Sequence, residues 1–426
     1  MLAVGLMIIG ALCYYPYSLA LISNAQHAVS AASAAFVQPP PAEDATDSAK
    51  LPPKPVVSPF DVALWFAAHN EEPEKHGVLI ETLDGEQVFA SHNPDVTFNP
   101  ASLIKLTTTL AALKKLGPEY RFETRVYADG KTDAGGTLRG KLYVMGEDPT
   151  FGDVAGSMIA HELRARGIKR VTGGIIVSPN FCFNFSESAE DSAARLARVL
   201  NLGRTAGDVA EQPAGEQLFV FDSYPLRDIL LYMNAHSSNF VAERIGALVG
   251  GPGGVEQFLI NDLNLPADQV TIERTSGRGH NRLTPRGMVA VIRALSAEAE
   301  RDHLHLEDVM PVAGDDVGTL RRRLAGTGLE GAVIGKTGTL TSEVDGGMAS
   351  LAGLVYTQNS GPILFAILDQ GNRIGEHRQM EDQLLDEVVR LHDAPRAVPV
   401  ETPRQLLPAS SLQVLPAGRE QTVAGE

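Results

Sequence analysis

Asn99-Pro100-Ala101-Ser102-Leu103-Ile104-Lys105-Leu106-Thr107-Thr108-Thr109-Leu110-Ala111-Ala112-Leu113 opens an apolar-periodic run that continues to Leu116 and stops at Gly117-Pro118. Leu103, Leu106, Leu110 and Leu113 recur at helical spacing, which predicts a long, well-bounded helix with Ser102 in its first turn. Ser102 and Lys105 then share one helical face, one turn apart. A serine hydroxyl is a weak nucleophile until a base takes its proton. A lysine amine can do this where burial and nearby positive charge lower its basicity. The free N–H groups of a helix N-terminus face developing negative charge, and that of Ser102 can form half of an oxyanion hole. A serine and lysine so spaced are equally an N-cap and a solvated side chain. The apolar neighbours Leu103, Ile104 and Leu106 favour burial instead.

Two further motifs follow in order: Ser237-Ser238-Asn239 and Lys336-Thr337-Gly338. Each is weak alone; the ordered triplet is much stronger. Ser237 and Asn239, at a helix entry, can relay a proton to a leaving amine and grip a peptide carbonyl. Their structural alternative is a capping pair. Thr337 can donate a hydrogen bond to a substrate carboxylate. Lys336 supplies charge for the same carboxylate and for lowering the basicity of Lys105. Gly338 lets a ligand backbone approach the strand, and the Thr339 N–H is the candidate second oxyanion donor.

Around these motifs the pattern is mixed. Phe60–Ala68 reads as a short helix with Leu64, Trp65 and Ala68 on one face. Val78–Ala90 reads as a hairpin about Asp84-Gly85. Phe122–Val144 alternates like strands broken at Asp129-Gly130 and Gly135-Gly136. Met158–Arg166, Ala189–Leu200 and Leu226–Ala235 read as helices, and Ile175–Ser178 as a strand. Ile334–Tyr356 and Ile363–Asp369 read as adjacent antiparallel strands, closed by a helix over Gln379–Leu391. The block near 120–180 reads as a small α/β insertion. After Asp393 the tail is rich in Pro, Ser and Ala and is expected to be disordered.

The 426 residues are 44% hydrophobic, enough for a sizeable core in more than one domain. A net charge of -16 repels phosphate backbones, so nucleic acid is not an expected partner. Cys13 and Cys182 lie far apart in unlike contexts, so no disulfide is expected, and no Cys/His zinc pattern occurs. Residues 1–42 carry no Asp, Glu, Lys or Arg. Met1–Ile22 is nearly continuous apolar sequence, followed by small residues from Ala28 to Ala35. Residues 1–36 are therefore expected to be a signal peptide, cut near Ala32–Ala35, or a membrane anchor. A Pro-rich linker follows at 37–59.

With its three motifs in order, the chain resembles the penicillin-binding serine D,D-carboxypeptidases and endopeptidases of the low-molecular-mass class C type, peptidase family S13. Leu116–Phe122, Gly140–Thr150, Gly173–Val177, Ser237–Glu243, Gly314–Arg323 and Lys336–Leu340 extend the resemblance, which covers roughly residues 60–393. It implies an α+β fold. A transpeptidase/β-lactamase-like domain, helices on an antiparallel five-stranded sheet, would span 60–119 and 217–393. A smaller inserted α/β domain would span 120–216. It also implies acylation of Ser102 by D-Ala-terminated or cross-linked peptidoglycan peptides, inhibition by β-lactam antibiotics, no metal or organic cofactor, and a periplasmic or extracytoplasmic location. Lys105 would be the base. Ser237, Asn239 and Lys336 would complete the catalytic set, and Thr337, Gly338 and Thr339 would bind substrate.

The departures are local. Ser238 stands where the family has Asp. Arg274-Thr275-Ser276-Gly277-Arg278-Gly279 replaces a D-G-S-G-L-S segment. Only 135 residues separate Ser102 from Ser237, so inserted material is trimmed, in the region 181–216. Three rival readings use the same site, one of them a serine esterase or amidase acting on small substrates. A class A β-lactamase needs a deacylating carboxylate, for which Glu256 is the nearest candidate although Asn261 falls one place late. A non-catalytic muropeptide binder would have little reason to keep a serine and a lysine on one buried face. No G-x-S-x-G elbow occurs, and His236 beside Ser237 is expected to be structural.

Overall fold

The structure, a computed structural model, describes residues 60–203 and 206–400, and the backbone of 413–416. The expected export segment at 1–36 and the linker at 37–59 lie outside the described residues. Among the described residues no helix is long and apolar enough to cross a membrane.

The chain enters through α1 (Val62–Ala68), the hairpin β1 (His76–Thr82) and β2 (Val88–His92), and α2 (Ile104–Leu116). It then passes through β3 (Glu123–Ala128), β4 (Lys131–Thr132), β5 (Thr137–Arg139), β6 (Leu142–Met145), α3 (Asp153–Ala165), β7 (Arg170–Val171), β8 (Ile175–Val177), α4 (Ala189–Leu200), β9 (Gly207–Val209) and β10 (Glu216–Asp222). Next come α5 (Leu226–His236), α6 (Asn239–Leu248), α7 (Gly251–Asn261) and α8 (Pro285–Arg301). The strands β11 (Val333–Leu340), β12 (Met348–Val355) and β13 (Ile363–Gln370), helix α9 (Ile374–His392) and strand β14 (Gln413–Pro416) complete the order.

One sheet runs β11-β12-β13-β1-β2 and is antiparallel throughout. Its central strands read almost continuously apolar because both faces are covered. Val78, Ile80, Phe365 and Ile367 pack toward α9, whose Leu384, Leu385, Val388 and Val389 are buried. Leu79, Leu364, Ala366 and Leu368 pack with α2 and α8 on the other face. The second sheet, β14-β10-β3-β6-β8-β9, is mixed, with β6, β8 and β9 parallel.

Four readings need correction. Leu64 is 67% exposed, and α1 buries Val62, Trp65 and Phe66 instead, because the partner surface lies under that side of the helix. Residues 334–356 form two strands, not one; Asp345, Gly346 and Gly347 all take positive φ and turn the chain back. The inserted sheet extends through β10, so the returning segment begins at α5 rather than at 217. Order also continues beyond 394: Arg396 N–H donates to Tyr356 O, Val398 N–H donates to Gly331 O, and 413–416 pair with β10. Val398 is buried in the core, an anchor that a Pro/Ser/Ala count does not weigh.

Helix α2 is the axis of the larger unit. All ten residues from Ile104 to Leu113 are buried. Its threonines are tolerated there because each hydroxyl has a partner. Thr107 Oγ1 donates to Ile104 O (2.7 Å), Thr109 Oγ1 to Lys105 O (2.8 Å) and Thr108 Oγ1 to Thr275 O (3.0 Å).

Candidate active site

Ser102 lies in a 3-10 turn, Ala101–Leu103, immediately before α2. Ala101 holds a left-handed φ of 51°, uncommon for a residue with a Cβ. Its N–H donates to Asn99 Oδ1 (3.1 Å), and Asn99 Nδ2 donates to Gly279 O (2.8 Å) and Asp345 Oδ2 (2.7 Å). Two glycines let neighbouring segments close on this turn. A Cβ on Gly277, itself at φ 83°, would overlap Ala101 O, and one on Gly338 would overlap Ser350 Oγ. The absence of a side chain at Gly338 thus lets the Ser102 turn pack closely against β11.

Lys105 is fully buried. Its Nζ lies 3.0 Å from Ser102 Oγ, 2.8 Å from Asn239 Oδ1 and 2.5 Å from Ser276 O. Burial lowers its pKa to about 7; Glu243 opposes the shift and Arg278 adds to it. Glu243 is itself engaged, accepting from Thr275 Oγ1 (2.9 Å) and Ser276 N–H (3.3 Å).

The second motif spans the joint between α5 and α6. Ser237 caps α5 at a left-handed φ of 53°. Ser238 caps α6, its hydroxyl accepting from Val241 N–H, and Asn239 begins that helix. Ser and Asp serve equally as N-caps, so Ser238 fits this position as an Asp would. The His236 ring packs against Tyr232, with ring centres 4.6 Å apart.

On β11, Lys336 is also fully buried, with Nζ donating to Ser237 Oγ (2.9 Å) and Thr337 O (2.6 Å). Burial, then the charge of Lys105, push its pKa well below the usual lysine range. Thr337 Oγ1 donates to Thr319 Oγ1 (2.8 Å). Thr339 is exposed; its hydroxyl donates to Gly338 O and accepts from Arg378 (2.6 Å). Beside Asn239 and Ser276 opens a cleft of about 800 Å³, lined also by Phe185, Phe240, Glu243 and Arg278.

The structure therefore brings the candidates together as two hydrogen-bonded groups, Ser102–Lys105–Asn239 and Ser237–Lys336, coupled through the charges of the two lysines, with Thr337 and Thr339 beside Lys336 on β11. Sequence reading missed Ser276, Glu243, Thr319, Asn99, Asp345 and Arg378. Asn99, Glu243, Ser276 and Thr319 lay inside stretches singled out in the sequence, but nothing in the spacing assigned them contacts. Glu256, considered as a deacylating base, instead accepts the Ile272 N–H at 2.9 Å.

An antiparallel five-stranded sheet flanked by helices, with a partly exposed Ser102 and a buried Lys105 at the head of the central helix, has the β-lactamase-like fold. The chain belongs to the D-Ala-D-Ala carboxypeptidase 3 (S13) family, which matches it over residues 66–184 and 180–390, and is a serine-type D-Ala-D-Ala carboxypeptidase. A carboxypeptidase of Mycobacterium tuberculosis, Rv3627c, is 28% identical over 350 residues, covering 68% of this chain and 74% of the relative. Among solved structures, the predatory endopeptidase Bd3459 of Bdellovibrio bacteriovorus with its immunity protein superposes at a TM-score of 0.68 and 21% identity, over 80% of this chain and 99% of that one. The same endopeptidase acylated by penicillin G superposes at 0.66, with 21% identity over 79% and 98% of the two chains. Penicillin binding protein 4 of Haemophilus influenzae superposes at 0.57, with 19% identity over 74% and 96%.

Proposed function

We propose that this carboxypeptidase acts outside the cytoplasm on D-Ala-terminated or cross-linked peptidoglycan peptides, through an acyl-enzyme on Ser102 with Lys105 as base. The hydrogen bonding of the Lys105 amine carries the reading. Asn239 Oδ1 and Ser276 O can only accept. A neutral amine has two N–H groups and one lone pair. Those two oxygens take both N–H groups, which leaves the lone pair for the Ser102 hydroxyl at 3.0 Å. A pKa of about 7 keeps a substantial fraction of this amine neutral near neutral pH.

Ser102 Oγ attacks the carbonyl of the penultimate D-Ala while its proton passes to Lys105. The oxyanion is met by the Ser102 and Thr339 N–H groups. Ser237, hydrogen-bonded to Lys336, lies on the route by which a proton reaches the leaving amine. Asn239 grips the peptide, and Lys336 and Thr337 face the terminal carboxylate. The C–N bond breaks, D-Ala leaves, and water then cleaves the Ser102 ester. Penicillin G acylation of the Bdellovibrio endopeptidase supports the same covalent chemistry here.

The test is intact mass after incubation with benzylpenicillin, beside Ser102→Ala. The expected result is one penicilloyl adduct on the wild type and none on the variant. A folded wild type that stays unmodified would sink the acyl-serine mechanism and turn attention to muropeptide binding.

A further inference from the structure

The turn carrying Ser102 is held in place by a residue far along the chain. Asn99 is 2% exposed, and both faces of its amide are occupied. Nδ2 meets two pure acceptors, Gly279 O and Asp345 Oδ2, which fixes the direction of the amide. Oδ1 must then face the Ala101 N–H, the group next to the nucleophile on a left-handed residue. Asp345 in turn is clamped. Arg282 Nη1 donates to its Oδ2 (2.8 Å) and Nη2 to its Oδ1 (3.0 Å), and His280 Nδ1 lies 3.2 Å from Oδ1. Burial would raise this carboxyl, but hydrogen bonds from Arg282, Asn99 and His280 outweigh it and hold its pKa at about 2.

Asp345 sits in the tight turn between β11 and β12, and Gln370 Nε2 anchors its backbone oxygen at 2.9 Å. β11 carries Lys336 and Thr337. Gly279 and Arg282 belong to the loop whose Ser276 O receives Lys105. Three separate segments of the site thus meet at Asp345: the nucleophile turn, the Ser276 loop and the β11 hairpin. A group that fixes the relative placement of reacting atoms acts on the rate of the covalent step more than on binding.

We propose that Asp345 is a positioning residue of the acylation step: acting through Asn99, it fixes the Ala101 turn that presents Ser102 to Lys105. The proposal rests on the acyl-serine reading above.

The experiment measures acylation by benzylpenicillin over time, by intact mass, with the full chain. Asp345→Ala is expected to slow acylation at least tenfold, toward the roughly hundredfold that a 1 Å misplacement costs, with half-saturation little changed. Asp345→Asn keeps an oxygen for Asn99 and is expected to recover most of the rate. In an Asn99→Ala background, Asp345→Ala should add little, because the path through Asn99 is already cut. Wild-type speed in Asp345→Ala, or losses from Asn99→Ala and Asp345→Ala that simply multiply, would overturn the proposal. So would a slowing that only tracks the folded fraction by circular dichroism. A wild type that is not acylated at all would instead remove the reading on which the proposal stands.

Discussion

Two clusters of buried charge lie on opposite faces of the five-stranded sheet, and they are built on opposite principles. Beneath α9, Arg323 meets Glu381 (2.7 Å) and Asp382 (2.6 Å), so cation and acid are sealed in together. Burial pushes the Glu381 carboxyl well above the usual carboxylate range despite the nearby Arg323. Beneath α2, Lys105 and Lys336 are buried with hydroxyls, an amide and carbonyls as their hydrogen-bond partners among the described residues, and Glu243 acts on Lys105 through its charge. Both amines are driven toward their neutral forms. A paired buried charge holds structure together; an unpaired one is available for proton transfer.

That contrast can be tested directly. Lys105→Met is predicted to lower acylation by about 10³-fold, within the range for losing a general base, while leaving the folded fraction intact; stopped-flow acylation beside thermal melting checks both. Arg323→Met should do the reverse. It leaves buried acids unpaired and should cost about 3–5 kcal/mol in urea unfolding, with the acylation rate per folded molecule unchanged. If Arg323→Met slowed acylation of fully folded protein, the two clusters would not be separable.

Lys336→Ala is predicted to weaken substrates bearing a free terminal carboxylate roughly ten- to hundredfold, the range for a hydrogen bond to a charged group. A carboxylate-free ester should lose much less, and equal losses would remove the carboxylate role. The pH profile sharpens the same point. The base must be the free amine, so acylation should rise with pH and level off above about 7, falling about tenfold per unit below it. A flat profile from pH 5 to 8 would exclude Lys105 as the titrating base. The smallest effect belongs to Ser238→Ala, which removes an N-cap and should cost about 1 kcal/mol of stability, with Ser238→Asp close to wild type.

Much of this was legible in the chain because the signals were local. The hairpin about Asp84-Gly85, the helix over Ala189–Leu200 and the helix behind Ser102 rest on turn chemistry and periodicity within a dozen residues. The three motifs were recognisable for the same reason. Contacts between distant segments were not. Ser276 O reaches Lys105 across 171 positions, and Asn99 reaches Asp345 across 246, with no periodicity to announce either. The exposed Leu64 was misread because helical spacing gives two possible faces when a helix is only seven residues long. A strand glycine such as Gly338 signals close approach without saying what approaches, and the close packing of Ala101 and Ser350 on it was not legible in the sequence.

Strand β1 finds its sheet partner at the far end of the chain: His76 pairs with Asp369, 293 positions away. A polypeptide emerging from its N-terminus therefore displays Ser102 long before β11 and β13 exist. Closing so long a loop is slow and late. Until it closes, the sheet against which α2 is buried is incomplete. On the acyl-serine reading, hydrolytic competence is expected only once β11, β12 and β13 have joined the sheet.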